Sequence, residues 1–220
     1  MINKISLKNV SKSFFSDKEK IDVLKDVSFD FKNAAYSVEG VSGSGKSTLL
    51  SLIAGLQNPT AGQIFFGEKN INQFSNQQST EYLNSKIGLV FQEPNLLEDL
   101  TIAENIALKA FSRKSAIEQV IQLLKSIGLE EKANQFPNQL SGGQKQRVAV
   151  LRAIFNQPEF LIADEPTGNL DKKTGQELVD FLFSCKKEWG FGLIVCTHDK
   201  EISKKMDQRL YLQNGKLMSI

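Results

Sequence analysis

Short apolar bursts alternate with longer amphipathic stretches along the chain, and that rhythm sets the expected fold. Ile64-Phe65-Phe66, Ile87-Gly88-Leu89-Val90-Phe91, Phe160-Leu161-Ile162-Ala163 and Leu193-Ile194-Val195-Cys196 are too short for helices and read as buried strands. Over residues 23–31, the positions Val23, Lys25, Val27, Phe29 and Phe31 share one parity and are mostly apolar, the mark of a half-buried strand at an antiparallel β edge. Helical patterns cover 47–54, 116–127, 144–155 and roughly 172–188. In the second, Ile117, Val120, Ile121 and Leu124 fall at i, i+3, i+4 and i+7 and form one stripe. Strands alternating with helices predict an α/β protein whose mainly parallel sheet carries helices on its faces. Residues 95–139 hold helical patterns and no convincing strand. With no Pro/Gly/Ser-rich linker and no internal repeat, the expectation is a single domain over 1–220 with a helical subdomain inserted at about 95–155.

Composition narrows the function classes. Hydrophobic residues make up 40% and charged residues 24% of the 220, ordinary globular usage that excludes a disordered or collagen-like chain. Lys and Arg total 27 against 25 Asp and Glu, so a net charge of +2 demands no polyanion and no nucleic-acid partner is expected. No apolar run approaches the roughly 18 residues of a spanning helix, and Met1-Ile2-Asn3-Lys4-Ile5 lacks the apolar stretch of a signal peptide. Cys185 and Cys196 show no metal-ligand spacing and read as reduced cytosolic thiols. Cys196 lies two residues from His198, the only histidine, so a catalytic pair is not forbidden by strand geometry, although His198 has a stronger claim on it below.

Gly40-Val41-Ser42-Gly43-Ser44-Gly45-Lys46-Ser47 matches a phosphate-binding loop, between the apolar 35–38 and the helix-forming 48–54. Glycines let backbone N–H groups converge on an anion, and the following helix end adds partial positive charge. Lys46 can reach β- and γ-phosphates, and the Ser47 hydroxyl can ligate Mg²⁺. Asp164 and Glu165 end the apolar run 160–163. Alone they read as a solvated turn with Pro166; beside the phosphate loop they read as a Mg²⁺ holder and a carboxylate that polarises water. Leu140-Ser141-Gly142-Gly143-Gln144 opens a helix, and Ser141 with Gln144 is a capping box. Gly142 and Gly143 are poor first-turn residues unless something approaches the backbone closely. That helix N-terminus is a second anion site, which a second subunit could bring to the phosphate held by Lys46.

Taken in order, the phosphate loop, Gln92, Leu140 to Gln144, Asp164-Glu165, Asn169-Leu170-Asp171 and His198 resemble the nucleotide-binding subunits of ATP-binding-cassette (ABC) transporters across nearly the whole chain. The resemblance implies a P-loop NTPase cassette with a mainly parallel core sheet, an N-terminal antiparallel β subdomain and a helical signature subdomain. It further implies an ATPase with ATP and Mg²⁺ as cofactors and a head-to-tail homodimer that sandwiches two ATP molecules between the phosphate loop of one subunit and Ser141, Gly142, Gly143 and Gln144 of the other. Gly40, Ser42, Gly43, Ser44, Gly45, Lys46, Ser47 and Thr48 would hold ATP, and Ser47, Asp164 and Gln92 the metal. Glu165 would be the catalytic base, His198 would contact the γ-phosphate, Gln92 would also sense a transport partner, and Asp171 would lie at the dimer interface. Phe14 takes the register of the family's adenine-stacking aromatic, with Phe15 as the neighbouring alternative.

Four positions depart from the family pattern: Asn33-Ala34 where Gly-Glu is common, Leu151 where Ala is common, and Glu39 where an aliphatic or Thr residue precedes Gly40. A carboxylate at Glu39 should repel a phosphate unless it points away or finds a basic partner. Residues 163–171, 91–97 and 101–106 are similar to one branch, the ATPases of lipoprotein-releasing, macrolide-exporting and antimicrobial-peptide-resistance systems and a cell-division ATPase. That likeness implies a separate transmembrane permease subunit, docked near 94–98, and a peripheral position on the cytoplasmic face of the inner membrane. Because the chain stops at Ile220, just after the strand pattern 217–219, the membrane protein is expected to be a separate one. A soluble non-transport ABC ATPase is the competing class; a small-molecule kinase would leave 140–144 and 169–171 unexplained.

Overall fold

A computed structural model describes residues 4–16, 19–110 and 113–220. In chain order its strands are β1 (Ile5–Ser16), β2 (Glu19–Phe31), β3 (Ala35–Glu39), β4 (Ala61–Phe66), β5 (Lys69–Asn70), β6 (Ile87–Val90), β7 (Phe160–Asp164), β8 (Gly192–Cys196), β9 (Gln208–Gln213) and β10 (Lys216–Ser219). The helices are α1 (Lys46–Ile53), α2 (Asn76–Ser85), α3 (Ile102–Ile106), α4 (Arg113–Ser126), α5 (Gly142–Ile154), α6 (Lys172–Trp189) and α7 (Lys200–Ser203). β2, β1, β4 and β5 form an antiparallel sheet in that order; the second sheet runs β10-β9-β3-β8-β7-β6, parallel except for β10.

The parallel sheet is the middle layer, and strand alternation builds the core on both of its faces. Tyr36, Val38, Phe160, Ile162, Ile194 and Cys196 join a cluster with α1 and the antiparallel sheet. Leu161, Ala163, Leu193 and Val195 join a second cluster with residues of α3, α4, α5 and α6. A strand buried on both faces has no polar side, so its sequence is a continuous apolar run, which is why 160–163 and 193–196 were legible.

The strand over 23–31 departs from simple alternation. Lys12 pairs with Leu24 and Val10 with Val27, so Lys25 and Asp26 together oppose Ser11, with Asp26 at φ +53. This bulge flips the parity: Leu24 is buried and Lys25 is exposed, the reverse of the alternating pattern. Residues 95–155 carry α3, α4 and α5 and, among the described residues, no strand. The α4 stripe is narrower than its spacing suggests, because Val120 and Leu124 are fully buried while Ile121 stays 39% exposed. Sequence reasoning missed α2, which buries only Tyr82 and so has no apolar stripe; its boundary signal, the Ser75–Gln78 capping box, is present.

The middle of β3 carries a mismatch with this core. Ser37 on β3 is fully buried, yet its hydroxyl has no hydrogen-bond partner. An unpaired buried hydroxyl costs on the order of 1 kcal/mol or more. Ser37→Ala is therefore expected to raise the thermal midpoint by about 2–4 °C, the shift that ~1 kcal/mol produces in a chain of this size; a lower midpoint in a denaturation scan would show that the hydroxyl is bonded.

Candidate functional site

β3 ends at Glu39, and the chain passes through Gly40 to Gly45 into α1. Gly43 (φ +77) and Gly45 (φ +102) hold left-handed backbone, and a Cβ on Gly45 would stand 2.6 Å from Val23 Cγ1. Glycine at 45 thus answers both a dihedral and a close approach. Gly45 also caps α1, and no side chain bonds the first turn. By contrast α2, α3, α5 and α6 each have a Ser, Thr or Asp side chain that accepts from one or two N–H groups of the first turn. The open N–H groups of α1 are what an anion needs.

Residues 40 and 42–48 line a cavity of about 560 Å³ together with Val23, Gln92, Asp164, Glu165, Gly168 and His198. Lys46 Nζ donates to the carbonyls of Gly40 (3.0 Å) and Val41 (3.3 Å) and lies 3.8 Å from Glu165 Oε1. His198 Nδ1 is 2.8 Å from Glu165 Oε2, with the imidazole exposed and the carboxylate mostly buried. Glu165 itself sits at φ +47, a left-handed conformation that costs a non-glycine residue on the order of 1 kcal/mol or more. Its N–H donates to the Cys196 carbonyl and its carbonyl accepts from Gly168, both at 2.9 Å, which holds the turn. Gln92 Nε2 donates to Asn169 Oδ1 at 2.9 Å.

Two buried polar atoms on this wall, Ser44 Oγ and Asp164 Oδ1, have no hydrogen-bond partner. The Ser47 hydroxyl, Asp164 carboxylate and Gln92 amide are hard oxygen donors suited to Mg²⁺. No group of three or more His, Cys, Asp or Glu stands ready to enclose a metal among the described residues. A cation here would be held by a few protein oxygens, with the remainder from water and phosphate, which is the usual habit of Mg²⁺.

Other expected residues stand outside the cavity. Ser141, Gly142, Gly143 and Gln144 are not on its wall. The Ser141–Gln144 capping box forms, with Gln144 Oε1 accepting from Ser141 N at 3.0 Å. Gly143 has a packing reason as well, since a Cβ there would collide with Thr174 of α6, whereas Gly142 would meet only Leu170 at 3.6 Å. Asp171 caps α6, accepting from Lys173 N, Thr174 N and, at 2.6 Å, Thr174 Oγ1; the Thr174 hydroxyl bond heads the causes that lower its carboxyl below the usual range. Phe14 is 41% exposed with the Lys12 ammonium 5.1 Å from its ring centroid, and Phe15 is 73% exposed. Neither ring reaches the cavity wall. Burial raises the Cys196 thiol well above its ordinary range, and His198 is engaged with Glu165, so the two form no catalytic pair.

Glu39 has the basic partner that its position requires. Arg209 Nε on β9 donates to Glu39 Oε1 at 2.9 Å, and Glu39 is not on the cavity wall. Val23 and Gly168 are wall residues that sequence reasoning missed. For Gly168 the signal was a glycine three residues beyond Glu165: a Cβ there would stand 2.8 Å from Gln92 Nε2.

The family model described as ABC transporter matches residues 24–168. The lipoprotein-releasing system ATP-binding protein LolD of Wigglesworthia glossinidia brevipalpis is 38% identical over 97% of this chain and 95% of its own length. The uncharacterized ABC transporter ATP-binding protein MJ0796 of Methanocaldococcus jannaschii is 40% identical over 97% of this chain and 94% of its own. A solved dimeric structure of the ATP-binding cassette MJ0796, in a post-hydrolysis state with ADP and Pi, superposes with a TM-score of 0.89 at 37% identity, covering 98% of this chain and 97% of that one. The α/β cassette fold expected from the sequence is the fold this chain has.

Because Arg209 keeps 37% of its side chain exposed, water can replace Glu39 as its partner. Glu39→Val is therefore expected to leave nucleotide affinity unchanged or raised in ATP titrations; a clear loss would show that Glu39 supports the loop that follows it.

Proposed function

The chain belongs to the ABC transporter family, and we propose that it is the ATP-hydrolysing subunit of a complex with a separate transmembrane permease, of the lipoprotein-release or macrolide/peptide-export type. The observation that carries this is the convergence of Lys46, Asp164, Glu165, His198 and Gln92 on a cavity walled by the glycine loop and the uncapped start of α1.

ATP is the substrate, with its phosphates on the N–H groups of the loop and of α1 and its charge matched by Lys46. Lys46 exchanges the carbonyls of Gly40 and Val41 for phosphate oxygens. Ser47, Asp164 and Gln92 would hold Mg²⁺, which when bound neutralises charge on the β- and γ-phosphates. Glu165 accepts the proton of the attacking water, and its strained backbone supports that role, since such strain gathers at functional turns. His198 holds Glu165 Oε2 by Nδ1 and offers its exposed side to the γ-phosphate. Phe14 is the residue assigned to stack on adenine.

Ser141 to Gln144 lie off the wall of their own cavity, which supports assigning them to the ATP of a second copy in a head-to-tail dimer with Asp171 at its interface. MJ0796 forms a dimer in its solved structure, in keeping with this. For the membrane partner, support comes from the likeness to LolD and from a presented loop. Arg152 donates to the carbonyls of Pro94 and Asn95, both at 2.7 Å, and the buried Asn105 amide binds Leu97 N–H and carbonyl. Leu97 is left 47% exposed on a fixed backbone, a contact for a permease segment. No helix among the described residues is long and apolar enough to cross a membrane, which fits a peripheral subunit on the cytoplasmic face of the inner membrane. A cell-division ATPase with its own membrane partner uses the same machinery and is the second assignment.

Glu165→Gln is expected to lower ATP turnover by about 100-fold or more while ATP binding persists and an ATP-dependent dimer elutes on size exclusion; turnover at the parent rate removes Glu165 as the base. Purified with ATP and Mg²⁺ from detergent-solubilised cells, that variant should carry a membrane protein identifiable by mass spectrometry, and a dimer without one favours the soluble class. Leu97→Asp should release the permease with ATP affinity unchanged, and a retained complex overturns the docking site.

A further inference from the structure

Two backbones that are anchored separately meet at a single side-chain bond beside the cavity. Gln92 follows Phe91, whose carbonyl is held at 2.7 Å by the amide of Gln146, itself 1% exposed on α5. Asn169 lies in the turn closed by Gly168 N to Glu165 O (2.9 Å) and Leu170 N to Thr167 O (3.0 Å). The bond from Gln92 Nε2 to Asn169 Oδ1 at 2.9 Å joins them. Gly168 makes room for it, because a Cβ there would stand 2.8, 3.1 and 3.2 Å from Nε2, Cδ and Cγ of Gln92.

A carboxamide has one end that donates and one that accepts, and only the oxygen can face a cation. We infer that Asn169 is a positioning residue for Gln92: by accepting from Nε2 it sets the rotation of the amide and leaves Oε1 as the atom available to a divalent cation in the cavity that Gln92 shares with Ser47 and Asp164. Without that acceptor the amide turns freely and spends part of its time presenting its NH₂ hydrogens to the cation. The inference rests on the reading of Gln92 as a metal contact.

The test uses the whole chain with Mn²⁺ as an EPR-visible probe and adenylyl-imidodiphosphate as a nucleotide that is not turned over. Asn169→Leu, which removes the acceptor, should weaken Mn²⁺ binding to the nucleotide complex about 3- to 10-fold, the scale of one hydrogen bond. Binding of the nucleotide without metal should be unchanged. Asn169→Asp keeps an acceptor and should stay close to the parent. In a Gln92→Glu background both ends of the side chain are oxygens, so adding Asn169→Leu should have no further effect on Mn²⁺. If Gln92→Leu does not weaken Mn²⁺ binding, the metal reading of Gln92 falls and takes this inference with it. If Gln92→Leu weakens it and Asn169→Leu does not, the positioning role alone is overturned. An equal loss of metal-free nucleotide binding in Asn169→Leu overturns it as well, by showing a general structural role.

Discussion

Everything at the site depends on leaving the first turn of α1 without a side-chain cap. Four N–H groups at a helix start have no partner within the helix and normally take one from a neighbouring Ser, Thr or Asp. Here α2, α3, α5 and α6 do so, while α1 begins at a left-handed glycine. The open donors are tolerable because they face a cavity of about 560 Å³ that water or an anion can fill. Beside that turn Gly45 packs against Val23, and the Lys46 ammonium rests on the loop's own carbonyls.

Parallel strands then deliver the remaining chemistry to one edge. β3, β6, β7 and β8 run in the same direction, so the glycine-rich loop, Gln92, Asp164-Glu165 and His198 all emerge at their carboxyl ends. The apolar clusters on both faces hold those ends in place, and the side chains that leave them can be polar and even strained, as Glu165 is. Acidic and basic side chains pair around the same edge: Lys46 and His198 flank Glu165, and Arg209 takes up Glu39 one residue before the loop. The Glu39 pair removes the electrostatic objection to a carboxylate at that position, since the charge is matched by Arg209 and lies off the cavity wall.

The helical segment contributes rigidity at a distance. Gln146 and Arg152 of α5 reach the backbone at Phe91 and at Pro94 and Asn95, and Asn105 of α3 holds Leu97. Burial lowers the affinity of Arg152 for its proton from the usual arginine range, as expected for a guanidinium whose partners are carbonyls rather than carboxylates. The loop is thus tied to α5 at Phe91, Pro94 and Asn95 and to α3 at Leu97.

By itself the sequence determined the glycine-rich turn before α1, the capped start of α5 and the positions of the buried strands along the chain, because each is a local pattern: a glycine spacing, a box of four residues, a continuous apolar run. It did not reveal α2, whose only buried residue is Tyr82, nor the reversed faces around Asp26, because a bulge depends on what the partner strand opposes to it. Only the tertiary structure decided that Glu39 is matched by Arg209, that Gly143 makes room for Thr174, that Gly168 makes room for Gln92, and that Asn169 holds the Gln92 amide. These contacts join residues remote in sequence, and their distances are set by the packing of sheet against helix rather than by any pattern along the chain.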